Sequence, residues 1–392
     1  MLHFLMLAIV ALSTVACAQS VERTGSAPSV MCTPVELDDG VDLVLKRVSG
    51  YIIAKKTDDG LELVNKWLAA GKPSAPLETA LGELHYSRGE FPLAVTAFNL
   101  AMRVDPCYGR AHYFAWRVEA LAGEPAKSLA QLELAHRLAP DDPQITETWN
   151  AVQLAGRLAA DHDAPQVKVS SPGANFFSKS LDCDGIMIQS SAAVDSAALI
   201  LACSKVQRML QHLPAVRKSL VSKGGELHII GEREQTSDLP ENRTFRGQHA
   251  YRDADGEATD IDVRTRGVGG LNSSCGEENL LRLPSDRYRE GEDTRTHEFA
   301  HEIMNFGFTD RDRREIERVY KSSTGKGLWK GAYSGVNPRE YWATLSMWYF
   351  GTHGQFLPSM RPARVPAPGP DGLKAYDPEG LALVDRLYSG DK

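Results

Sequence analysis

His297-Glu298-Phe299-Ala300-His301 is an H-E-x-x-H pentapeptide, and its reading decides the fold expected of the second half of the chain. Phe299, Ile303 and Phe306 recur on one side of a 3.6-residue period, and His297, His301 and Met304 share the opposite side. Asp293 or Thr294 can cap such a helix at its start, and Gly307 can end it. Imidazoles at positions i and i+4 of a helix lie on one face and can grip a single zinc ion. The intervening Glu298 then points at the open coordination position, where it can take a proton from water. A structural zinc wants four protein ligands, and no cysteine lies near this stretch to complete the set. A catalytic zinc needs three protein ligands and leaves the fourth position to water, so one more ligand must come from elsewhere.

The third ligand is not supplied locally. A metzincin pattern would place Gly and then a ligand three and six residues after His301, where this chain has Met304 and Gly307. Glu340 is the better candidate, within Tyr333-Ser334-Gly335-Val336-Asn337-Pro338-Arg339-Glu340-Tyr341-Trp342-Ala343. Asn337 as cap and Pro338 at the first helical position mark a helix start, with Glu340 in its first turn. A competing reading is a capping box, in which Glu340 merely bonds the Asn337 amide. The histidine pair 39 residues upstream favours ligation.

The block Tyr-x-x-x-Asn-x-x-Glu-aromatic-aromatic-Ala, downstream of H-E-x-x-H, resembles the lethal-factor type of gluzincin zinc metallopeptidase, typified by the anthrax lethal factor catalytic domain. The resemblance implies that His297, His301 and Glu340 bind Zn2+, that Glu298 is the general base, and that Tyr333 faces the scissile carbonyl. It covers the two motif blocks and, more loosely, residues from about 174 onward. One position departs from the pattern: Thr344 stands where those peptidases carry a second acid four residues after the ligand. The reaction implied is attack of zinc-activated water on a peptide carbonyl, with Tyr333 helping to stabilise the oxyanion.

Upstream the chain repeats itself. Gly89 and Gly123, Leu100 and Leu134, Ala101 and Ala135, Arg103 and Arg137, and Pro106 and Pro140 recur at a spacing of 34. That is the period of the tetratricopeptide repeat (TPR), a pair of antiparallel helices. Leu81, Gly82, Gly89, Ala94, Phe98, Ala101 and Pro106 of the first copy fall on the small and large positions of that family. The second copy is weaker, with Trp116 at a small position and Ser128 in place of Ala. Asp39–Lys72 reads as a degenerate earlier copy, and Pro143–Ala160 as a closing helix. Residues 161–173, polar and proline-bearing, read as a linker.

Between linker and motif the period changes. Gly185–Ile188 and Glu226–Ile230 read as strands, Ser196–Leu213 as a helix stopped by Pro214, and Ile261, Val263 and Thr265 as a half-exposed strand. That strand is a candidate for binding substrate by strand addition, or else an ordinary solvated edge. Asp310, Asp312 and His353 have metal-binding side chains but read as surface groups. The aromatic cluster from Tyr341 to Phe350 reads mostly as core.

A formal charge of −7 without a long basic run argues against nucleic acid as a partner. Leu2 to Val15 is almost wholly apolar and precedes Ala16-Cys17-Ala18, which suits a signal peptide over residues 1–18. Thr14-Val15-Ala16-Cys17 also resembles a loose lipoprotein box, which would make Cys17 a lipid anchor. No other apolar run is long enough to span a bilayer. The expected location is therefore exported: periplasmic, secreted or lipid-anchored at the cell envelope. Of the six cysteines, Cys107 reads as a small buried hydrophobe, and one disulfide among Cys183, Cys203 and Cys275 is open.

The expected architecture is multidomain. A linker over 19–40 leads to an all-α TPR-like array over 41–160, and the linker over 161–173 to an α+β zincin-like metallopeptidase domain over 174–392. The substrate would be a peptide or protein, with a protein partner recruited through the repeats. The alternative is an exported TPR-type binding or scaffold protein whose zincin domain is degenerate and non-catalytic.

Overall fold

Missing side chains decide where the first helices touch. Gly82 lies on α3 (Ala75–Ser87), and a Cβ there would sit 2.3 Å from the Phe98 ring of α4 (Phe91–Val104). Gly109 opens α5 (Gly109–Leu121) against Ala139, just beyond α6 (Pro125–Leu138), where a Cβ would lie 2.8 Å from the alanine methyl. Such contacts let antiparallel helices pair closely, which is the repeat unit of a TPR-like array. The degenerate first copy folds as the pair α1 (Asp39–Ile53) and α2 (Thr57–Ala70), and α7 (Pro143–Ala159) closes the series. Asp142 caps α7, its carboxylate accepting from the Gln144 and Ile145 amides.

The computed structural model describes residues 39–53, 56–71, 74–121, 125–161, 163–170, 176–249, 251–252, 258–288, 292–353 and 366–390. Residues 1–18, expected to be a signal peptide, and with them Cys17, lie outside the described residues. Among the described residues no helix is long and apolar enough to cross a membrane.

The second part is mixed α and β. It runs β1 (Lys168–Val169), β2 (Lys179–Cys183), β3 (Ile186–Ser190), α8 (Ser196–Met209), α9 (Pro214–Ser222) and β4 (Glu226–Ile230). Then come β5 (Tyr251–Arg252), β6 (Ala258–Thr259), α10 (Ile261–Arg264), β7 (Gly267–Val268), β8 (Asn272–Gly276) and α11 (Glu277–Leu281). The motif helix α12 (Thr294–Glu302) continues as a π turn over Ile303–Gly307. After it follow α13 (Asp310–Gly325), α14 (Pro338–Tyr349), α15 (Pro370–Tyr376) and α16 (Pro378–Ser389). Six strands form one sheet in the order β1-β2-β3-β4-β8-β7. The β3–β4 and β4–β8 pairs are parallel and the others antiparallel. A disulfide joins Cys183 on β2 to Cys203 on α8, which leaves Cys275 a buried free thiol.

Four expectations need correction. Residues 261–265 do not form a strand: Ile261–Arg264 is one turn of helix capped by Asp260, whose carboxylate accepts from the Asp262 amide. The Asp262 carboxylate is in turn held by the Ser237 amide and hydroxyl, so a short alternating pattern yields to local capping. Residues 168–169 of the expected linker pair as an edge strand with β2. Pro214 does not stop α8, which ends at Met209 with Leu210 as its cap; it starts the next helix, where its missing N–H costs nothing. Cys107 is half-buried and disulfide-bonded rather than a buried hydrophobe.

The inner helices of the array pack on the α+β part. The Arg117 guanidinium reaches Glu232 at 2.8 Å and Glu277 at 3.4 Å, all three side chains being at most 2% exposed. Tyr86 donates its hydroxyl to Glu232 at 2.6 Å, and Arg233 stacks 4.2 Å over the Tyr86 ring. Three array side chains, Tyr113, Gln144 and Thr148, donate to the single carbonyl of Arg282, a residue in the left-handed conformation. Trp116, anomalous for a repeat, belongs to a hydrophobic core that runs on to Tyr388.

Candidate metal centre

The motif helix is fixed at both ends before its histidines do anything. Asp293 caps it, accepting from the Thr296 amide at 3.1 Å and from Lys205 at 2.5 Å. Burial opposes the charge of Asp293, but Lys205 and Arg282 outweigh it and hold the carboxyl well below its usual range. Phe299 and Ala300 are fully buried, and the Ala300 carbonyl accepts from the Trp342 indole at 2.8 Å, which joins α12 to α14. On the sheet side, the Ser273 hydroxyl of β8 donates to Glu302 at 2.6 Å and takes Arg295 at 3.3 Å.

Two glycines let the sheet edge approach the motif face. A Cβ on Gly267 would lie 3.1 Å from Glu298 Cγ, and one on Gly269 would lie 3.0 Å from both Glu298 Oε2 and His301 Cβ. Side chains there would displace Glu298.

Glu340 arrives from α14. Asn337 caps that helix, accepting from the Arg339 amide at 2.9 Å and the Glu340 amide at 3.0 Å. The Glu340 carboxylate is turned to the histidines, not back to its cap. Its Oε2 lies 3.1 Å from His297 Nε2 and 3.3 Å from His301 Nε2, and the two Nε2 atoms are 3.1 Å apart. That oxygen is buried yet accepts no hydrogen bond of proper geometry. Three atoms about a common point at bonds of about 2.0–2.1 Å would be separated by about 3.4 Å in tetrahedral coordination. The donor set, its spacing and the orphaned oxygen therefore fit a cation such as zinc.

Charge accords with that fit. Burial raises the Glu340 carboxyl, but the two imidazoles outweigh it and hold the group well below the usual range. Burial pushes the Glu298 carboxyl above its ordinary value, with the histidines pulling the other way. The His297, Glu298 and His301 ligand atoms lie within 4.8 Å of one another. Tyr333, in a 3-10 turn over Tyr333–Gly335, has its ring centre 6.0 Å from that of His297, and burial raises its hydroxyl above the ordinary value while nearby Arg264 pulls the other way. All five residues singled out from the sequence thus meet in one place.

The weaker candidates stay away. Asp310 pairs with Arg313, and Asp312 forms the capping box of α13 with Thr309. The ring of His353 packs 6.2 Å from that of Trp348. Burial pushes the Cys275 thiol up to about 12, which removes it as a nucleophile. Thr344 is buried and its hydroxyl has no partner, so it does not replace the acid of the lethal-factor pattern. Sequence reasoning missed Gly267, Gly269, Arg264, Arg295 and Ser273. The only signal was the glycine run after residue 266.

No family model matches the chain. A curated TPR repeat-containing protein of Schizosaccharomyces pombe is 28% identical over 152 residues, which is 39% of this chain and 18% of that protein. The chain thus spans less than a fifth of that relative's length. Two structures of the Yersinia enterocolitica type III secretion translocator chaperone SycD also align, at 16% and 17% identity and a TM-score of 0.26. Each covers 31% of this chain, and 96% and 90% of the chaperone chains. A third, of SycD in complex with a peptide of the translocator YopD, aligns at 16% identity and the same TM-score, covering 31% of this chain and 97% of SycD.

Proposed function

We propose that the chain is a zinc-dependent endopeptidase whose TPR-like array supports the catalytic part and offers a surface to a protein partner. The observation that carries this reading is the convergence of His297, His301 and Glu340, from two helices, with a buried Glu340 oxygen left without a hydrogen bond.

A zinc ion held by those three side chains would supply a Lewis acid that makes water nucleophilic near neutral pH. Glu298, held against the motif face by Gly267 and Gly269, takes the proton released and later returns it to the leaving amine. The Tyr333 hydroxyl donates to the carbonyl oxygen as negative charge grows on it. β7 ends the six-stranded sheet beside Glu298, and the Gly267 amide and carbonyl on that strand are held by the Thr265 hydroxyl, which a peptide adding there would have to displace.

The test is metal content followed by cleavage. The purified protein should carry about one zinc per chain, lost in His297→Ala and kept in Glu298→Gln. A peptide-library digest should show bonds cut by the wild type and left intact by Glu298→Gln. Identical digests from the two proteins would end the peptidase reading.

A second reading is a repeat-based binding protein with a non-catalytic metal centre. It is favoured by the S. pombe relative, whose name concerns only repeats, and by the unpartnered Thr344 hydroxyl. Partner capture that survives Glu298→Gln, with no cleavage by either protein, would select it. We also propose export, supported by the Cys183–Cys203 disulfide, which suits an oxidising compartment.

A further inference from the structure

We propose that Asp377 is a positioning residue for the metal centre, acting through the segment that carries Tyr333 and Glu340; the inference rests on the zinc-site reading above. Asp377 stands between α15 and α16, far along the chain from either motif block, and is 1% exposed. As a helix cap it needs one bond only, from the Gly380 amide to Oδ1 at 2.9 Å. It accepts three more. Ser323 of α13 donates to Oδ1 at 2.9 Å, and the Trp329 indole and the Tyr341 hydroxyl both donate to Oδ2 at 2.7 Å.

The last two donors bracket the functional segment. Trp329 stands four residues before Tyr333, and Tyr341 follows Glu340 directly. Trp329 is fully buried and holds a left-handed backbone, at φ 62°, that a tryptophan does not adopt unforced. Its amide also donates to the Tyr376 hydroxyl at 3.0 Å, from the residue before Asp377. Inside the bracket, the Trp329 carbonyl fills the space a Gly335 side chain would need, at 2.3 Å, and Tyr320 donates to the Gly335 carbonyl at 2.9 Å. One carboxylate therefore ties down both ends of residues 329–341. Only a carboxylate suits four converging donors, because an amide would turn its own N–H groups on two of them. The Thr344 hydroxyl of α14 is bonded to nothing, and the carboxylate that anchors this segment comes from Asp377, between α15 and α16.

The experiment compares zinc affinity, by chelator competition, with the visible spectrum of the cobalt-loaded protein, using full-length wild type, Asp377→Asn, Asp377→Ser and Tyr341→Phe. Asp377→Ser keeps a cap but cannot span to Trp329 and Tyr341, and Tyr341→Phe removes one donor with the smallest disturbance. Gly82→Ala, distant in the array, serves as a variant that lowers stability alone. The expectation is a loss of zinc affinity of about 10- to 100-fold and an altered cobalt spectrum in the three centre-side variants, with both readouts unchanged in Gly82→Ala. Wild-type zinc affinity and spectrum in Asp377→Ser and Tyr341→Phe, with only a lower Tm, would reduce Asp377 to a cap and overturn the inference. A wild type that takes up no zinc would overturn the zinc-site reading itself, and this inference with it.

Discussion

Asp286 is buried where the Asn279 side chain donates to it at 2.9 Å and the Tyr288 amide at 3.0 Å, and Asn279 in turn holds Thr294 at the start of the motif helix. Burial pushes its carboxyl up to about 6, against an ordinary 3.8. The folded protein therefore keeps this proton to a higher pH than the unfolded chain does. The stability it contributes is complete below about pH 4 and is lost as pH rises through 6. Denaturant midpoints taken from pH 4 to 7 should contain a decline on the order of 2–3 kcal/mol from this residue, and Asp286→Asn should remove that slope. An unchanged slope in the variant would mean that the group titrates normally. At this scale, His297, Glu298 and His301 were legible because helical spacing alone puts them together. Glu340 was legible only as a choice between cap and ligand. Direction of a side chain in a first turn depends on what faces it, and only packing of α14 on α12 supplies that. Beyond its local cap on Gly380, the Asp377 anchor left no sequence trace, because its other three donors stand 36 to 54 residues away.

Elements followed the same logic. Repeat helices were legible because each carries its own small-residue signature, and Gly82 is the sharpest case. Gly82→Ala should cost about 1–3 kcal/mol, since the Phe98 ring has no flexible end to move aside. Urea unfolding checks this; an unchanged or raised midpoint would show that α3 and α4 can part at no cost. The segment over 261–265 was misread because three alternating residues cannot distinguish a strand from a capped turn. Only Ile261 is fully buried there, while Val263 is half exposed. The strand that does lie beside Glu298 is β7, two residues long and rich in glycine, too short for any periodicity to mark.

For the molecule as a whole, the sequence marked two kinds of structure but not their union. Arg117 looked like one charge among many on a repeat helix, and its partners are 115 and 160 residues further on. Arg117→Met should destabilise by about 3–5 kcal/mol, because it leaves Glu232 and Glu277 buried without a counter-charge. Far-UV circular dichroism and tryptophan emission should still report one common transition, at a lower denaturant concentration. Separate transitions would mean that the two parts fold independently. The Arg282 carbonyl carries a practical corollary. Trimming the gene to start near residue 163 would strip that oxygen of its donors from the array and lay bare an apolar surface. Such a fragment should come out of bacteria as inclusion bodies. Anyone wanting the metal-site part of this scaffold alone would have to redesign that surface, not merely shorten the chain.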